Sequence, residues 1–91
     1  MSDTVSGLNI EVANEAIALV TGDRAQDYGP ATESFRRIAS MWSTYLGVTI
    51  TPRQVASMMI LLKVSRDANG PKHDNPVDII GYSILMDNLD S

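Results

Sequence analysis

The sequence predicts an all-α protein, a small bundle of about four helices with a central antiparallel helix hairpin. Apolar residues recur every three or four positions in four separate segments, which is the spacing of a helix face buried in a core. No segment alternates apolar and polar residues as a half-buried strand would. Glycine and proline stand between the segments. We therefore expect a single helical domain over residues 1–91, with 1–7 and 90–91 disordered.

The first two helices are predicted from their apolar stripes. The stripe of the first consists of Ile10, Ala13, Ile17 and Val20. Gly22 is its expected C-terminal cap. The stripe of the second, from about residue 31 to 46, consists of Phe35, Ile38, Ala39, Trp42, Tyr45 and Leu46. Gly47 is expected to end it.

The third helix has the clearest start signal. Thr51 is expected to be its N-cap, with Pro52 at the first helical position and Gln54 completing a capping box. The run 69–71, Asn-Gly-Pro, is expected to stop it. The buried stripe consists of Val55, Met58, Met59 and Leu62.

The fourth helix repeats this device. Asn75 is its expected N-cap and Pro76 opens it, while Asp78 lies near the positive end of the helix dipole. Gly81, in mid-helix, costs about 1 kcal/mol relative to alanine. We therefore expect Gly81 to permit the close approach of another helix or of a ligand. The inward-facing residues are Val77, Ile80, Ile84 and Leu89.

The composition restricts the classes of function. The chain has no cysteine, which excludes disulfides, thiolate catalysis and cysteine-bound zinc. Its net charge of −4 argues against general nucleic-acid binding, because that affinity depends on neutralising phosphates. No apolar run reaches the roughly 18 residues of a membrane span, and the N-terminus lacks the features of a secretory signal. We expect a cytoplasmic protein with no membrane partner, still able to bind a small anion.

Opposite charges are predicted to meet at one end of the hairpin formed by the third and fourth helices. Lys63 and Arg66 end the third helix, whereas Asp74 and Asp78 open the fourth. Residues three or four apart share a helix face, so an antiparallel hairpin brings the two pairs together. The cluster is either a site for an anionic ligand or a structural salt-bridge clasp. The sequence leaves both interpretations open.

The same hairpin end contains the candidate metal ligands and catalytic residues. Asp74 and Asp78 are suitably spaced to hold Mg²⁺ together with substrate phosphates, and Asp67 is a third candidate ligand. In this interpretation Asp74 and Asp78 are also catalytic, and Tyr82 lines the ligand site. In the alternative, Asp78 only stabilises the start of the helix and needs no ligand.

The segment 23–30 provides a second group of ligand-binding candidates. Arg24 could bind a phosphate or carboxylate through its guanidinium group. Tyr28 could stack on a base or donate its hydroxyl, with Asp27 beside it. In the alternative, Asp27 caps a helix, Tyr28 fills the end of the bundle and Arg24 pairs with a nearby acid.

The predicted helices carry more apolar side chains than so small a core can bury. We expect the excess to be covered in a homo-oligomer. The alternative is that some are ordinary surface apolar residues. The residues concerned are Met41, Met58, Met59, Ile60 and Leu61.

These motifs, in this order, resemble a family of small uncharacterised proteins found mostly in phages and prophages. The motifs are Arg24-xx-Asp27-Tyr28-Gly29, Lys63-xx-Arg66 and Asp74-Asn75-xx-Asp78-xx-Gly81-Tyr82. The resemblance covers roughly residues 15–87. It implies a phage-type protein acting in the host cytoplasm, and it implies no settled function.

A more remote resemblance is to the MazG-like all-α nucleotide pyrophosphohydrolases, which use magnesium held by carboxylates on adjacent helices. Their pattern is a lysine followed at the third, fourth and seventh positions by glutamate, then Glu-xx-Asp on the next helix. With Lys63 as that lysine, the corresponding residues here are Arg66, Asp67, Gly70, Asn75 and Asp78. Only two carboxylates remain, and an arginine replaces one of those lost. The resemblance therefore implies the fold and a nucleotide-like ligand more than it implies hydrolysis.

Three functional hypotheses follow. The first is a magnesium-dependent hydrolase of a nucleotide-like phosphorylated molecule. The second is a non-catalytic protein that binds or sequesters such a molecule through the same cations. The third is a helical interaction module in which the charged cluster is only a clasp. A magnesium effect on ligand binding would indicate the hydrolase. Stabilisation by a ligand without turnover would indicate the binding protein, and neither effect would indicate the interaction module.

Overall fold

Four helices make up the described part of the protein. The structure is a computed structural model, and it describes residues 7–22 and 31–91. The helices are α1 (Glu11–Thr21), α2 (Ala31–Leu46), α3 (Pro52–Asn69) and α4 (Asp74–Met86). The described residues contain no strand. The prediction of an all-α bundle is therefore confirmed.

The start of α3 has the predicted capping box. The backbone N–H of Gln54 donates to Thr51 Oγ1 at 3.1 Å, and the backbone N–H of Thr51 donates to Gln54 Oε1 at 2.9 Å. Pro52 is the first helical residue, where no backbone N–H is needed. These contacts satisfy donors that a helix start otherwise leaves without partners.

The loop from α2 to α3 is fixed at both of its ends. Gly47 has φ of 73°, a left-handed conformation that favours glycine, and its N–H donates to the Ser43 carbonyl at 2.9 Å. The Ser43 hydroxyl in turn accepts from the Ile50 N–H at 2.8 Å. The predicted end of α2 at Gly47 is confirmed.

Helix α4 packs against both α1 and α3, and α2 packs against α3. Side-chain contacts join Lys63 to Asp78 and Asp67 to Asn75, so α3 and α4 run antiparallel. This is the predicted central hairpin. The buried core cluster between α2, α3 and the end of the chain consists of Phe35, Ala39, Val55, Ala56 and Leu89.

The start of α4 differs from the prediction. Asn75 is not its N-cap: the helix begins at Asp74, follows His73, and has no side-chain cap. Asn75 is instead buried, and its side-chain amide donates to Asp67 Oδ1 at 3.1 Å. The backbone N–H of Lys72 also donates to Asp67 Oδ1, at 3.4 Å. Because α4 begins at Asp74, Asn75 already lies in its first turn and its side chain contacts α3 instead, a contact that local sequence cannot reveal.

The C-terminal segment is tied to the bundle up to Asp90, although residues 90–91 were expected to be disordered. Leu89 is buried in the core cluster. The Asp90 carboxylate accepts from Arg36 Nε at 3.2 Å, and its carbonyl accepts from the Arg53 N–H at 3.0 Å. A buried leucine immediately before Asp90 brings these groups within reach.

Helix α1 lies against α4. A Cβ built on Gly81 would lie 3.6 Å from Val20 Cγ1, so the glycine is covered by another helix, as the sequence suggested. Glu15, early in α1, contacts His73 at the start of α4, whereas Val20, late in α1, lies beside Gly81 in the middle of α4. The two helices therefore run parallel. None of the described helices combines the length and apolarity that crossing a membrane requires.

Candidate functional site

An ion pair joins α3 to α4 near the end of the hairpin where the linker connects the two helices. Lys63 Nζ lies 3.0 Å from Asp78 Oδ2, and the two side chains are 16% and 28% exposed. Partial removal from water strengthens such a pair relative to an exposed one, although desolvation offsets part of the gain. The sequence predicted this meeting of charges, and the structure confirms that Lys63 and Asp78 lie together.

A cleft of about 450 Å³, here the cationic cleft, opens beside this ion pair. Three cations line it, and two of them, Arg66 and Lys72, form no ion pair with any described residue. Its volume falls within the range of small-molecule sites, roughly 300–1,000 Å³. The lining residues are Lys63, Arg66, Asn69, Gly70, Lys72, Asp74, Asn75 and Asp78.

The cationic cleft thus gathers four of the predicted site residues. Arg66 offers a planar fork of donors that matches a phosphate or carboxylate, and Lys72 adds a mobile positive charge. Asp74 and Asp78 of α4 line the same cleft and can accept hydrogen bonds. The arrangement is chemically suited to binding an anionic group that also carries hydrogen-bond donors.

Lys72 lines the cationic cleft although it was not among the predicted site residues. It lies in the linker between α3 and α4, directly after Pro71. Its position between the Lys-xx-Arg motif and the acidic motif is a signal that could have identified it.

Asp67 lies apart from this cleft. It does not line the cationic cleft, and its Oδ1 accepts from both Asn75 and the Lys72 backbone. Asp78 is engaged by Lys63. Over residues 7–22 and 31–91, no three histidine, aspartate or glutamate side chains are grouped so as to hold a metal ion. Two of the three predicted magnesium ligands, Asp67 and Asp78, are thus already engaged by other groups of the protein.

A second cleft of about 480 Å³, here the acidic cleft, lies between α1 and α4. Asp74 and Asp78 line this cleft as well as the cationic one, so the two clefts adjoin along these carboxylates. Glu15 adds a third carboxylate from α1, and its Oε2 lies 2.7 Å from His73 Nε2. The lining residues are Glu15, Ala18, Leu19, Asp74, Val77 and Asp78.

Glu15 could not have been identified from local sequence. It belongs to α1, far from the hairpin in the chain, and only the parallel packing of α1 on α4 brings it to Asp74.

Tyr82 lies away from both clefts. It packs against the core cluster, where its ring and that of Phe35 meet edge to face with centroids 6.0 Å apart. This aromatic pair contributes to packing, and it accounts for Tyr82 without a ligand. The other predicted binding residues, Arg24, Asp27 and Tyr28, lie outside the described residues.

The family model that matches this chain covers residues 11–90 and is described as a domain of unknown function, DUF6378. The chain belongs to the DUF6378 family. The match spans all four helices, both clefts and the C-terminal segment up to Asp90.

Phage proteins are among the relatives of this DUF6378 chain. It is 44% identical over 82 residues to the Gene 55 protein of Mycobacterium phage L5, a match that covers 88% of this chain and 53% of the relative. It is 37% identical over 79 residues to the Gene 55 protein of Mycobacterium phage D29, covering 86% and 52%. The chain therefore spans about half the length of these curated relatives. The predicted resemblance to a small phage protein family is confirmed, whereas neither this family model nor these two relatives show the MazG-like relationship.

No solved structure matches this DUF6378 chain.

Proposed function

We propose that this protein binds a nucleotide-like phosphorylated small molecule in the cationic cleft, without hydrolysing it, in the cytoplasm of the host cell. The observation that carries the proposal is the convergence of Lys63, Arg66 and Lys72 on one cleft. Lys63 is already paired with Asp78, while Arg66 and Lys72 have no ionic partner among residues 7–22 and 31–91. An incoming phosphate would meet these two cations first.

Each cation has a distinct part in the proposed binding. Arg66 would bind two phosphate oxygens through its fork of N–H donors. Lys72 would supply a point charge from the linker. Lys63 would contribute to the local positive potential while Asp78 keeps its ammonium group in place, since their atoms lie 3.0 Å apart.

The partners of the predicted metal ligands favour binding of the phosphorylated molecule over its metal-assisted hydrolysis. Asp78 is engaged by Lys63, and Asp67 accepts from Asn75 and from the Lys72 backbone, so two of the three predicted metal ligands already have partners. The proposal therefore includes no magnesium-dependent step, and Asp74 and Asp78 act in it as hydrogen-bond acceptors, not as catalytic residues.

The direct test is a thermal-shift screen with nucleoside mono-, di- and triphosphates and cyclic nucleotides, each with and without magnesium. A ligand that binds the folded state raises the melting temperature by mass action. We expect a shift with at least one phosphorylated ligand, independent of magnesium, and no change in the ligand on product analysis.

The matched pair of variants is Arg66→Gln and Arg37→Gln. Arg66 lines the cleft, whereas Arg37 is an exposed cation of α2 that lines neither cleft. We expect Arg66→Gln to weaken binding roughly tenfold or more, because a charge-assisted hydrogen bond contributes about 1.5–3 kcal/mol. Arg37→Gln should leave the affinity unchanged. Equal effects of the two variants would show nonspecific attraction and contradict the proposal, as would the absence of any shift.

A second candidate function is that of a helical interaction module, in which the charged cluster only holds the hairpin together. The 3.0 Å contact between Lys63 and Asp78 favours it. In a double-mutant cycle with Lys63→Met and Asp78→Ala, we expect a coupling of roughly 1–2 kcal/mol in the free energy of unfolding. This value lies between those typical of exposed and of buried ion pairs.

The control cycle uses Arg36 and Asp90, whose side chains lie 3.2 Å apart but are 55% and 64% exposed. Its coupling should be close to zero because solvent screens an exposed pair. A strong Lys63–Asp78 coupling together with a negative ligand screen would favour the interaction module. A coupling no larger than the control would remove the observation on which this candidate rests.

A further inference from the structure

We infer that the ligand is a nucleotide whose base carries an exocyclic amino group, as cytosine and adenine do, and that the acidic cleft receives that base. The inference rests on the proposed function, because it assigns the second half of the same ligand. It derives from the two adjoining clefts, which have opposite charge and share Asp74 and Asp78.

The two clefts provide space for two chemically different ends of one molecule. The cationic cleft measures about 450 Å³ and the acidic cleft about 480 Å³. Because two side chains line both, a ligand held by its phosphate against Arg66 and Lys72 would extend past Asp74 towards α1. The next lining residues that it would meet belong to the acidic cleft.

The lining of the acidic cleft matches an aromatic base with an amino group. Ala18, Leu19 and Val77 offer apolar surface for the face of a ring. Carboxylates only accept hydrogen bonds when ionised, so Glu15 and Asp74 would accept from an exocyclic amino group. The same carboxylates would repel the carbonyl oxygen that uracil presents at the corresponding position of the ring.

Two contacts determine which carboxylates are available to the base. Asp78 Oδ2 is occupied by Lys63, which leaves Asp74 and Glu15 as the principal acceptors. One oxygen of Glu15 likewise lies 2.7 Å from His73 Nε2, so the acceptors that the base would meet are the other Glu15 oxygen and the Asp74 carboxylate.

The test compares cytidine monophosphate with uridine monophosphate by isothermal titration calorimetry. These ligands have the same phosphate and sugar, and differ at the position where cytosine has an amino group and uracil a carbonyl. We expect the wild-type protein to bind cytidine monophosphate roughly tenfold or more tightly than uridine monophosphate, since one correct base contact typically provides such a ratio.

Two variants locate the discriminating group, and one serves as the control. Asp74→Asn and Glu15→Gln replace each carboxylate by an amide of the same shape that can also donate, so each should reduce the preference for cytidine. Glu11→Gln makes the same change one turn earlier on α1, at an exposed residue that lines neither cleft, and should leave the preference unchanged. Circular dichroism of each variant would verify that the helices are intact.

The outcomes separate this inference from the proposed function. A cytidine preference that falls in Asp74→Asn or Glu15→Gln, but not in Glu11→Gln, supports the inference. Equal binding of the two nucleotides, still weakened by Arg66→Gln, would overturn the inference and leave the proposed function standing. If no phosphorylated ligand bound, both would be overturned.

Discussion

Gly81 lies in the middle of α4 where α1 crosses it, and it shows what a single residue contributes to this fold. The nearest atom to a Cβ at this position is Val20 Cγ1 at 3.6 Å, an ordinary van der Waals distance. A methyl group therefore fits, and alanine is a better helix former than glycine by about 1 kcal/mol. We expect Gly81→Ala to raise the free energy of unfolding by roughly 0.5–1 kcal/mol, measured by urea denaturation.

The contrasting variant at the residue scale is Gly47→Ala. Gly47 has a left-handed backbone with φ of 73°, so a Cβ there is strained although no neighbour obstructs it. We expect this variant to lose about 1 kcal/mol. Destabilisation by Gly81→Ala would mean that α1 approaches α4 more closely than the 3.6 Å separation indicates.

Helix α3 has apolar side chains on two opposite faces. One face packs into the bundle through Val55 and Ala56, whereas Leu61 is 65% exposed and Val64 is 51% exposed on the other. A helix that is apolar on all sides is typically buried on all sides. We therefore keep the prediction that the protein forms a homo-oligomer through α3. Light scattering after size exclusion should give a mass above that of one chain, and Leu61→Glu should lower it to that of a monomer.

The control at the element scale is Val48→Glu. Val48 is also exposed, at 57%, but it belongs to the loop between α2 and α3. The Val48→Glu variant should have the same oligomer mass as the wild-type protein. A wild-type protein that is monomeric across micromolar concentrations would show that these apolar side chains are ordinary surface residues.

The whole molecule is held together in part by residues beyond its last helix. Leu89 is 6% exposed and belongs to the core cluster with Phe35 and Val55, and Asp90 beside it contacts Arg36 of α2 and the backbone of Arg53 in α3. We expect Leu89→Ala to destabilise the protein by about 2–4 kcal/mol, because a buried leucine leaves a cavity when truncated. Thermal and urea denaturation would measure it.

The corresponding control is Leu8→Ala. Leu8 is 66% exposed near the start of the described chain, so its truncation should change stability by less than about 0.5 kcal/mol. A similar loss in both variants would contradict the role assigned to the C-terminal segment.

The sequence by itself determined the local features of this protein. The four helices, the Thr51–Gln54 capping box and the end of α2 at Gly47 depend on neighbours in the chain, so spacing and residue type predict them. The pairing of Lys63 with Asp78 was also accessible, because a short linker between two helices makes an antiparallel hairpin the natural arrangement.

Only the tertiary structure decided which groups surround that pair. Asn75 binds Asp67 instead of capping α4, Tyr82 packs on Phe35, and Glu15 reaches the acidic cleft. Each of these contacts joins residues on different elements or across the linker. Their positions depend on how the helices pack, and the side-chain periodicity of one helix carries no information about the neighbour that will lie against it.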